Sequence, residues 1–286
     1  QSDVTVRGGL FENTGFKLGA VTIMDPQTGH YAAALPVDPA LMSAPVIHKG
    51  IDSAVEGFNS AIATVSYGIL PVTDGAHVSL GVGSDNLNFQ SLRFSRAMTN
   101  AAGDEFGIAV SLARSEGDGS LPFGDHRFAR YNVLLQHATA SYQSDLIISY
   151  QDKFYGWPGA YTGFSSLPET DDTQTTLILA NHRHETSGGW FEVGGFYRRL
   201  EDDYDFDRTT DESGVPGSFE HETRVLGLGF QGMQQVGSVD WRYGGQLTAD
   251  ELVRSTDLTS GSFTDRRYAT FTIVPALHVE LSSGNT

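Results

Sequence analysis

Apolar and polar side chains alternate along most of this chain. In the stretch 239–247, Val239, Trp241, Tyr243 and Leu247 fall on one side of an extended backbone, and polar or small residues fall on the other. Successive side chains of a β-strand point to opposite faces, so this stretch predicts a strand with one apolar and one polar face. A soluble sandwich and a membrane barrel both use such strands, so one segment does not decide the environment.

The same two-residue period recurs in ten segments and predicts an antiparallel meander. It is clearest at 105–115, 222–232 and 268–280, where bulky apolar residues alternate with smaller or more polar ones. The ten predicted strands lie at 76–83, 87–97, 105–115, 128–138, 144–153, 174–184, 190–199, 222–232, 239–249 and 268–280.

The connections between these segments alternate in length after the first hairpin. Tight connections lie at 138–142, 185–189 and 234–238, and long ones at 116–127, 154–173, 200–221 and 251–267. Transmembrane barrels of the outer-membrane type have short turns at one rim and long loops at the other. Strands of about ten residues also match the roughly 9 to 11 that a tilted strand needs to cross a bilayer. The pattern therefore predicts an all-β fold built around a transmembrane barrel.

In such a barrel we expect the bulky apolar side chains to face lipid and the small and polar ones to face the lumen. Trp190, Tyr197, Trp241 and Tyr243 are the candidates for the aromatic girdles at the membrane interfaces. The alternative is a soluble β-sandwich or barrel with the same alternation turned inward.

Composition excludes several other classes of protein. The chain has 286 residues, a formal net charge of -17 and no cysteine. The acidic excess argues against a nucleic-acid partner, and the lack of cysteine excludes a disulfide framework or a thiolate metal site. No run approaches the roughly 18 apolar residues of a membrane helix. The N-terminus lacks a signal peptide and the C-terminus reads as a turn, so we expect an incomplete piece of a longer protein.

Residues 1–70 have a different sequence pattern, in which short apolar runs are interrupted by Gly and Pro. They predict a small mixed α/β unit. Its two most distinctive motifs are Arg7-Gly8-Gly9 and Asp-Pro-Gln-Thr-Gly-His from Asp25 to His30. The second motif predicts a turn, because Pro presets φ and Gly permits the chain to reverse.

These two motifs resemble the plug domain of TonB-dependent outer-membrane receptors, and residues 57–65 resemble the end of that plug. The resemblance implies a plug portion at 1–70 and the N-terminal half of a barrel at 71–286, because family barrels have about 22 strands. The sequence departs from the family at 18–20, which replace an Asp-Gly pair, and at 60–61, which replace Gly-Gly.

The resemblance also implies a function. It predicts a receptor in the bacterial outer membrane, not an enzyme, that takes up a scarce nutrient such as a ferric siderophore or cobalamin. Its partners would be outer-membrane lipid and an inner-membrane energy-coupling protein, which acts through a segment upstream of residue 1. The alternatives are a passive porin-like channel and a soluble secreted carbohydrate-binding β-protein.

Two segments are candidates for substrate contact. The loop after the fifth predicted strand is rich in aromatic residues, which are costly to expose unless they pack together or receive a ligand. If the family geometry holds, the apical turn of the plug contacts the substrate from below; for Asp25, turn formation is the equal alternative. The predicted substrate contacts are Asp25, Gln27, His30, Tyr155, Trp157, Tyr161 and Phe164.

Two further groups suggest metal chemistry. The acidic segment 201–207 offers Asp202, Asp203, Asp205 and Asp207 as oxygen ligands for a calcium cofactor. A solvated loop facing lipopolysaccharide is the alternative. His182 and His184 share a strand face, but without a third ligand they read as lumen-facing polar residues rather than a metal site.

Overall fold

A computed structural model of the chain describes residues 3–58, 60–160, 167–210, 218–237, 239–257, 262–263 and 266–279. It contains two β-sheets, a small one from the N-terminal quarter and a large one from the remainder. None of the helices in this described part of the chain is long and apolar enough to cross a membrane.

The small sheet has four strands in the order β2-β1-β4-β3, with β1 and β4 parallel and the other pairs antiparallel. The hairpin between β1 and β2 turns at Gly19, whose φ of 59° is accessible to glycine at little cost. One α-helix and three short 3-10 helices complete the unit. The elements are β1 (Thr14–Leu18), β2 (Val21–Ile23), β3 (Val46–Lys49), α1 (Ile51–Glu56) and β4 (Ala63–Tyr67), with the 3-10 helices at Phe11–Asn13, Gly29–Tyr31 and Pro39–Leu41.

The large sheet is an antiparallel meander of ten long strands and one two-residue strand, and it confirms the ten predicted strands. From β5 to β13 each strand pairs with the next along the chain, and β13 pairs with both β14 and β15. The sheet is open, with β5 and β15 at its edges. The strands are β5 (Gly75–Val82), β6 (Asn88–Thr99), β7 (Glu105–Gly117), β8 (His126–Ala138), β9 (Tyr142–Gly156), β10 (Thr170–Thr186), β11 (Gly189–Asp205), β12 (Phe219–Val236), β13 (Val239–Asp257), β14 (Ser262–Phe263) and β15 (Arg266–Val279).

Several strands are longer than predicted, and the extra residues lie at the long-connection rim. β10 has 17 residues and β13 has 19, against about ten expected. The sequence pattern missed these ends because the extensions are mostly polar and do not alternate between apolar and polar residues. Main-chain pairing holds them together past the apolar part of each strand.

The outer face, which points away from the small sheet, is apolar as predicted. Leu226 and Leu228 are 56% and 58% exposed there, while Gly227 and Gly229 point inward. Trp241 and Tyr243 are also exposed on this face. For β15, the side chains at 270–279 lie outside the described residues.

The inner face corrects one expectation, because it is not uniformly small and polar. Leu134, Ile147, Leu177, Leu179 and Phe196 point inward and form one core with apolar residues of the small sheet and its connections. The small sheet covers this part of the wall, so the wall there packs against protein instead of water. The small-sheet side of the core is made by Leu18, Val21, Ile23, Val37, Leu41 and Met42.

The prediction that Trp190 belongs to a girdle is wrong. Strand parity places it on the inner face with Glu192 and Phe196, and the Arg183 guanidinium carbon lies 4.2 Å from its ring centroid. An aromatic belt does follow the outer face at the short-turn rim. It contains Phe106 stacked on His137 at 4.4 Å, His137 against Tyr142 at 5.4 Å, Tyr142 near His182 at 5.5 Å, and His184 near Phe191 at 5.2 Å. His182 and His184 therefore lie on the outer face, and the prediction that they face the lumen is wrong.

Candidate functional site

The predicted turn after Met24 forms and is organised by Asp25. Its Oδ1 accepts the backbone N–H groups of Gln27 at 2.9 Å and Thr28 at 3.4 Å. Thr28 Oγ1 then accepts the N–H of His30 at 3.4 Å and caps the short 3-10 helix that follows. These local bonds explain why Asp and Thr occupy these positions in the turn.

The other carboxylate oxygen of Asp25 fastens this turn to the wall. Arg198 on β11 donates from Nη1 to Asp25 Oδ2 at 2.9 Å, and the two side chains are 2% and 0% exposed. Arg198 also donates to the carbonyl oxygens of Met24 and Tyr31. Asp25 was predicted to contact substrate; in this structure its carboxylate is enclosed and holds the turn in place.

Two other predicted residues, Gln27 and Tyr155, meet beside this ion pair. Gln27 Nε2 donates to Asp202 Oδ2 at 3.1 Å. Tyr31 donates its hydroxyl to the Asp171 carboxylate at 3.2 Å, and Tyr155 donates to the same carboxylate. We call Gln27, Tyr31, Tyr155, Asp171 and Asp202 the apical cluster. It joins the turn to strands β9, β10 and β11 at the long-connection rim.

The remaining predicted contacts lie outside this cluster. His30 Nδ1 is 2.8 Å from Asp3 Oδ1, and its ring stacks on Phe11 at 4.0 Å. Trp157 is 42% exposed, and its ring centroid lies 6.2 Å from that of Tyr155. Tyr161 and Phe164 lie outside the described residues.

The four candidate calcium ligands are not brought together. Residues 201–205 belong to β11 and not to a loop, so Asp202 points inward and Asp203 outward. Asp205 accepts the Ser218 hydroxyl at 3.1 Å, and Asp207 accepts the Thr209 N–H at 3.0 Å. No three His, Asp or Glu residues of the described segments are placed to hold a metal ion. Calcium binding by these four residues stays a prediction.

A second polar network joins the small sheet to the wall nearer the short-turn rim. Lys17 Nζ lies 3.1 Å from Glu56 Oε2 and also bonds Gln231, which in turn bonds Glu192. Asn181 Oδ1 accepts the N–H of Ala20 at 3.0 Å. Burial lowers the pKa of Lys17, and Glu56 opposes that shift. A cavity of about 420 Å³ lies beside this network.

Sequence reasoning missed Tyr31, Asp171 and Arg198. Asp171 lies directly opposite Tyr155 in the β9–β10 register, and Arg198 shares the inner face with Asp202. Arg198 could have been found from the sequence, because strand alternation places it on the same face as Phe196 and Leu200. A charged residue on such a buried face needs a partner of opposite charge. The identity of that partner depends on the tertiary structure.

No protein-family model matches the sequence, and no curated protein matches it. Solved structures do. The siderophore receptor PirA from Pseudomonas aeruginosa matches with a TM-score of 0.64 and 13% identity over 98% of this chain and 47% of its own. FpvA from the same species, in complex with a ferric pyoverdine, matches with a TM-score of 0.60 and 15% identity over 84% and 36% of the two chains.

The ferric preacinetobactin receptor BauA from Acinetobacter baumannii matches with a TM-score of 0.56 and 12% identity over 85% of this chain and 45% of its own. The chain thus spans about half the length, or less, of these structures. All three are TonB-dependent outer-membrane receptors. Over the length compared, this chain has the fold of the TonB-dependent outer-membrane receptors.

Proposed function

We propose that this chain is part of a TonB-dependent receptor that imports a scarce nutrient across the bacterial outer membrane. Residues 1–70 form part of its plug and residues 71–286 the N-terminal half of its barrel. The outer face of the barrel contacts membrane lipid. An inner-membrane energy-coupling protein acts on the plug through a segment upstream of residue 1.

The observation that carries this proposal is the small sheet packed against the inner wall. It is held by the buried Asp25–Arg198 pair, by the Lys17 network and by a shared apolar core. A barrel filled in this way does not conduct solute freely, so import requires a second plug state that an energy source populates. A simple porin-like channel has no need of such contacts.

Ferric siderophores are the first substrate class to examine, because the names of the similar structures refer to them. Cobalamin is the second. The test is uptake of iron-55 siderophores and of cobalt-57 cobalamin by cells that make the full-length protein, with and without their energy-coupling complex. We expect the cells to take up one of these substrates, and only when the full-length protein and the energy-coupling complex are both present.

Two results would contradict the proposal. Uptake that persists after removal of the coupling complex, together with steady conductance in planar bilayers, would indicate a passive channel. Recovery of the folded protein in buffer without detergent would indicate the soluble carbohydrate-binding alternative, in which Trp157 and Tyr161 would serve as binding platforms.

A further inference from the structure

Two buried oxygen atoms of the apical cluster accept no hydrogen bond from the residues that the structure describes. They are Asp202 Oδ1 and Gln27 Oε1, both shielded from solvent. The other atoms of the same two groups, Gln27 Nε2 and Asp202 Oδ2, bond each other at 3.1 Å, which fixes the orientation of the amide. Asp202 as a whole is only 3% exposed. Because buried polar atoms are nearly always paired, two adjacent unpaired acceptors indicate a partner that carries positive charge or a proton.

The charges around these atoms also call for such a partner. Asp171 on β10 and Asp202 on β11 are diagonal neighbours on the inner face, since Asp171 lies opposite Tyr204 and Asp202 lies opposite Thr173. The hydroxyls of Tyr31 and Tyr155 both donate hydrogen bonds to the Asp171 carboxylate. Two adjacent buried carboxylates repel each other unless a cation or a proton lies between them.

The nearby cationic side chains do not fill this role. Arg198 is engaged by Asp25 at 2.9 Å. Lys153 is close enough to attract Asp171 and Asp202, but its amine lies over the Tyr155 ring, 5.2 Å from the centroid, and forms no ion pair with a described residue. Among the described residues, neither of these cations forms an ion pair with Asp171 or Asp202.

We propose that Asp171, Asp202 and the amide oxygen of Gln27 bind a small hard cation. Carboxylate and amide oxygens are the ligands that Ca²⁺ prefers, and the two tyrosine hydroxyls supply further oxygen atoms at the same point. Gln27 and Tyr31 belong to the plug, and the other three residues belong to the barrel wall. The bound cation thus ties the plug apex to strands β9 to β11, independently of which solute the receptor imports.

Terbium(III) is the probe for this site, since it prefers hard oxygen ligands and is excited by energy transfer from nearby tyrosine rings. In the purified full-length protein in detergent, we expect saturable tyrosine-sensitised luminescence that Ca²⁺ displaces. Asp171→Asn and Asp202→Asn are each expected to raise the terbium Kd by about tenfold or more. Asp203→Asn, which changes the outward neighbour on the same strand, is the matched control and leaves the Kd unchanged.

Thermal melting provides the second measurement. Ca²⁺ is expected to raise the Tm of the wild type and of Asp203→Asn, relative to EDTA, but not that of Asp171→Asn or Asp202→Asn. Gln27→Met removes a ligand from the plug side and lowers the terbium affinity even if an Asp variant fails to fold. Identical terbium titrations for the wild type, Asp202→Asn and Gln27→Met would overturn the proposal. That outcome would indicate a proton shared between the two carboxyl groups.

Discussion

At the residue scale, Arg198 fastens the turn that begins at Asp25 to the wall of the large sheet. It bonds one carboxylate and two carbonyl oxygens of the same turn, and its side chain is 2% exposed. An exposed arginine pair offers a direct comparison in the same protein. Arg183 and Glu185 lie 2.7 Å apart on β10, with exposures of 40% and 53%.

Replacing Arg198 by Gln is expected to lower the free energy of unfolding by about 3–5 kcal/mol, because it leaves the Asp25 carboxylate buried without a cation. Arg183→Gln is expected to cost about 0–1 kcal/mol, since its ion pair is solvated. Denaturant titration in detergent, followed by tryptophan fluorescence, measures both. Equal costs for the two variants would show that Arg198 does not anchor the turn.

Gly229 marks a close approach of the wall to the small sheet. A Cβ atom there would lie 2.3 Å from the carbonyl oxygen of Ala20, too close for any side chain. Gly229→Ala is therefore expected to destabilise the protein by about 1–3 kcal/mol through overpacking. Gly75→Ala is the control, because its Cβ would meet Ser95 Oγ at an ordinary 3.5 Å. The same denaturant titration applies, and comparable stability of both variants would contradict the close approach of these two backbones.

At the element scale, the outer faces of the strands form an apolar band with a polar border. On β12, Phe230, Leu228 and Leu226 point outward, and the next outward residue is Arg224. On β10, Ile178 is followed by Thr176 and Gln174 in the same direction. The band ends where the strands continue into their polar extensions.

If this band contacts lipid, Leu228→Arg is expected to reduce the free energy of folding into lipid vesicles by about 2–4 kcal/mol. Gln174→Arg, beyond the polar border, is expected to cost about 0–1 kcal/mol. The measurement is equilibrium folding into vesicles, monitored by electrophoretic mobility. A similar cost at both positions would argue that the outer face does not lie in a bilayer.

At the scale of the whole molecule, the two sheets must separate or deform if the plug is to admit a solute. Thr22 on β2 and Gln246 on β13 form a direct link, with distances of 2.8 Å from Thr22 N to Gln246 Oε1 and 2.9 Å from Gln246 Nε2 to Thr22 O. Because the chain has no cysteine, introduced thiols at these positions are the only ones in this segment.

Bridging the double variant Thr22→Cys/Gln246→Cys with a short reducible crosslinker is expected to block radiolabelled uptake while leaving solute binding intact. Reduction should restore uptake. The control bridge joins Ser91→Cys to Ala113→Cys, paired positions on β6 and β7 within the wall, and should leave uptake unchanged. Uptake through the bridged plug would exclude movement of β2 relative to β13 as a required step.

Much of the fold was predictable because strand faces are a local property. The alternation of apolar and polar residues located all ten strands, the short and long rims, and the exposed faces of β12 and β13. The failures have a common origin. Phe196 is a bulky residue on the inner face, where the small sheet supplies an apolar surface that no strand pattern reveals, and Trp190 lies on the same face against Arg183.

The sequence by itself determined the antiparallel meander, the order of its rims and the turn that begins at Asp25, since each depends on neighbours within a few residues. The tertiary structure alone decided the partners of the site. Arg198 lies 173 residues from Asp25, and Tyr31 lies 140 from Asp171. These contacts depend on strand register and on where the small sheet rests against the wall. The sequence indicates that a buried charge needs a partner, but only the packing of the two sheets determines which residue is that partner.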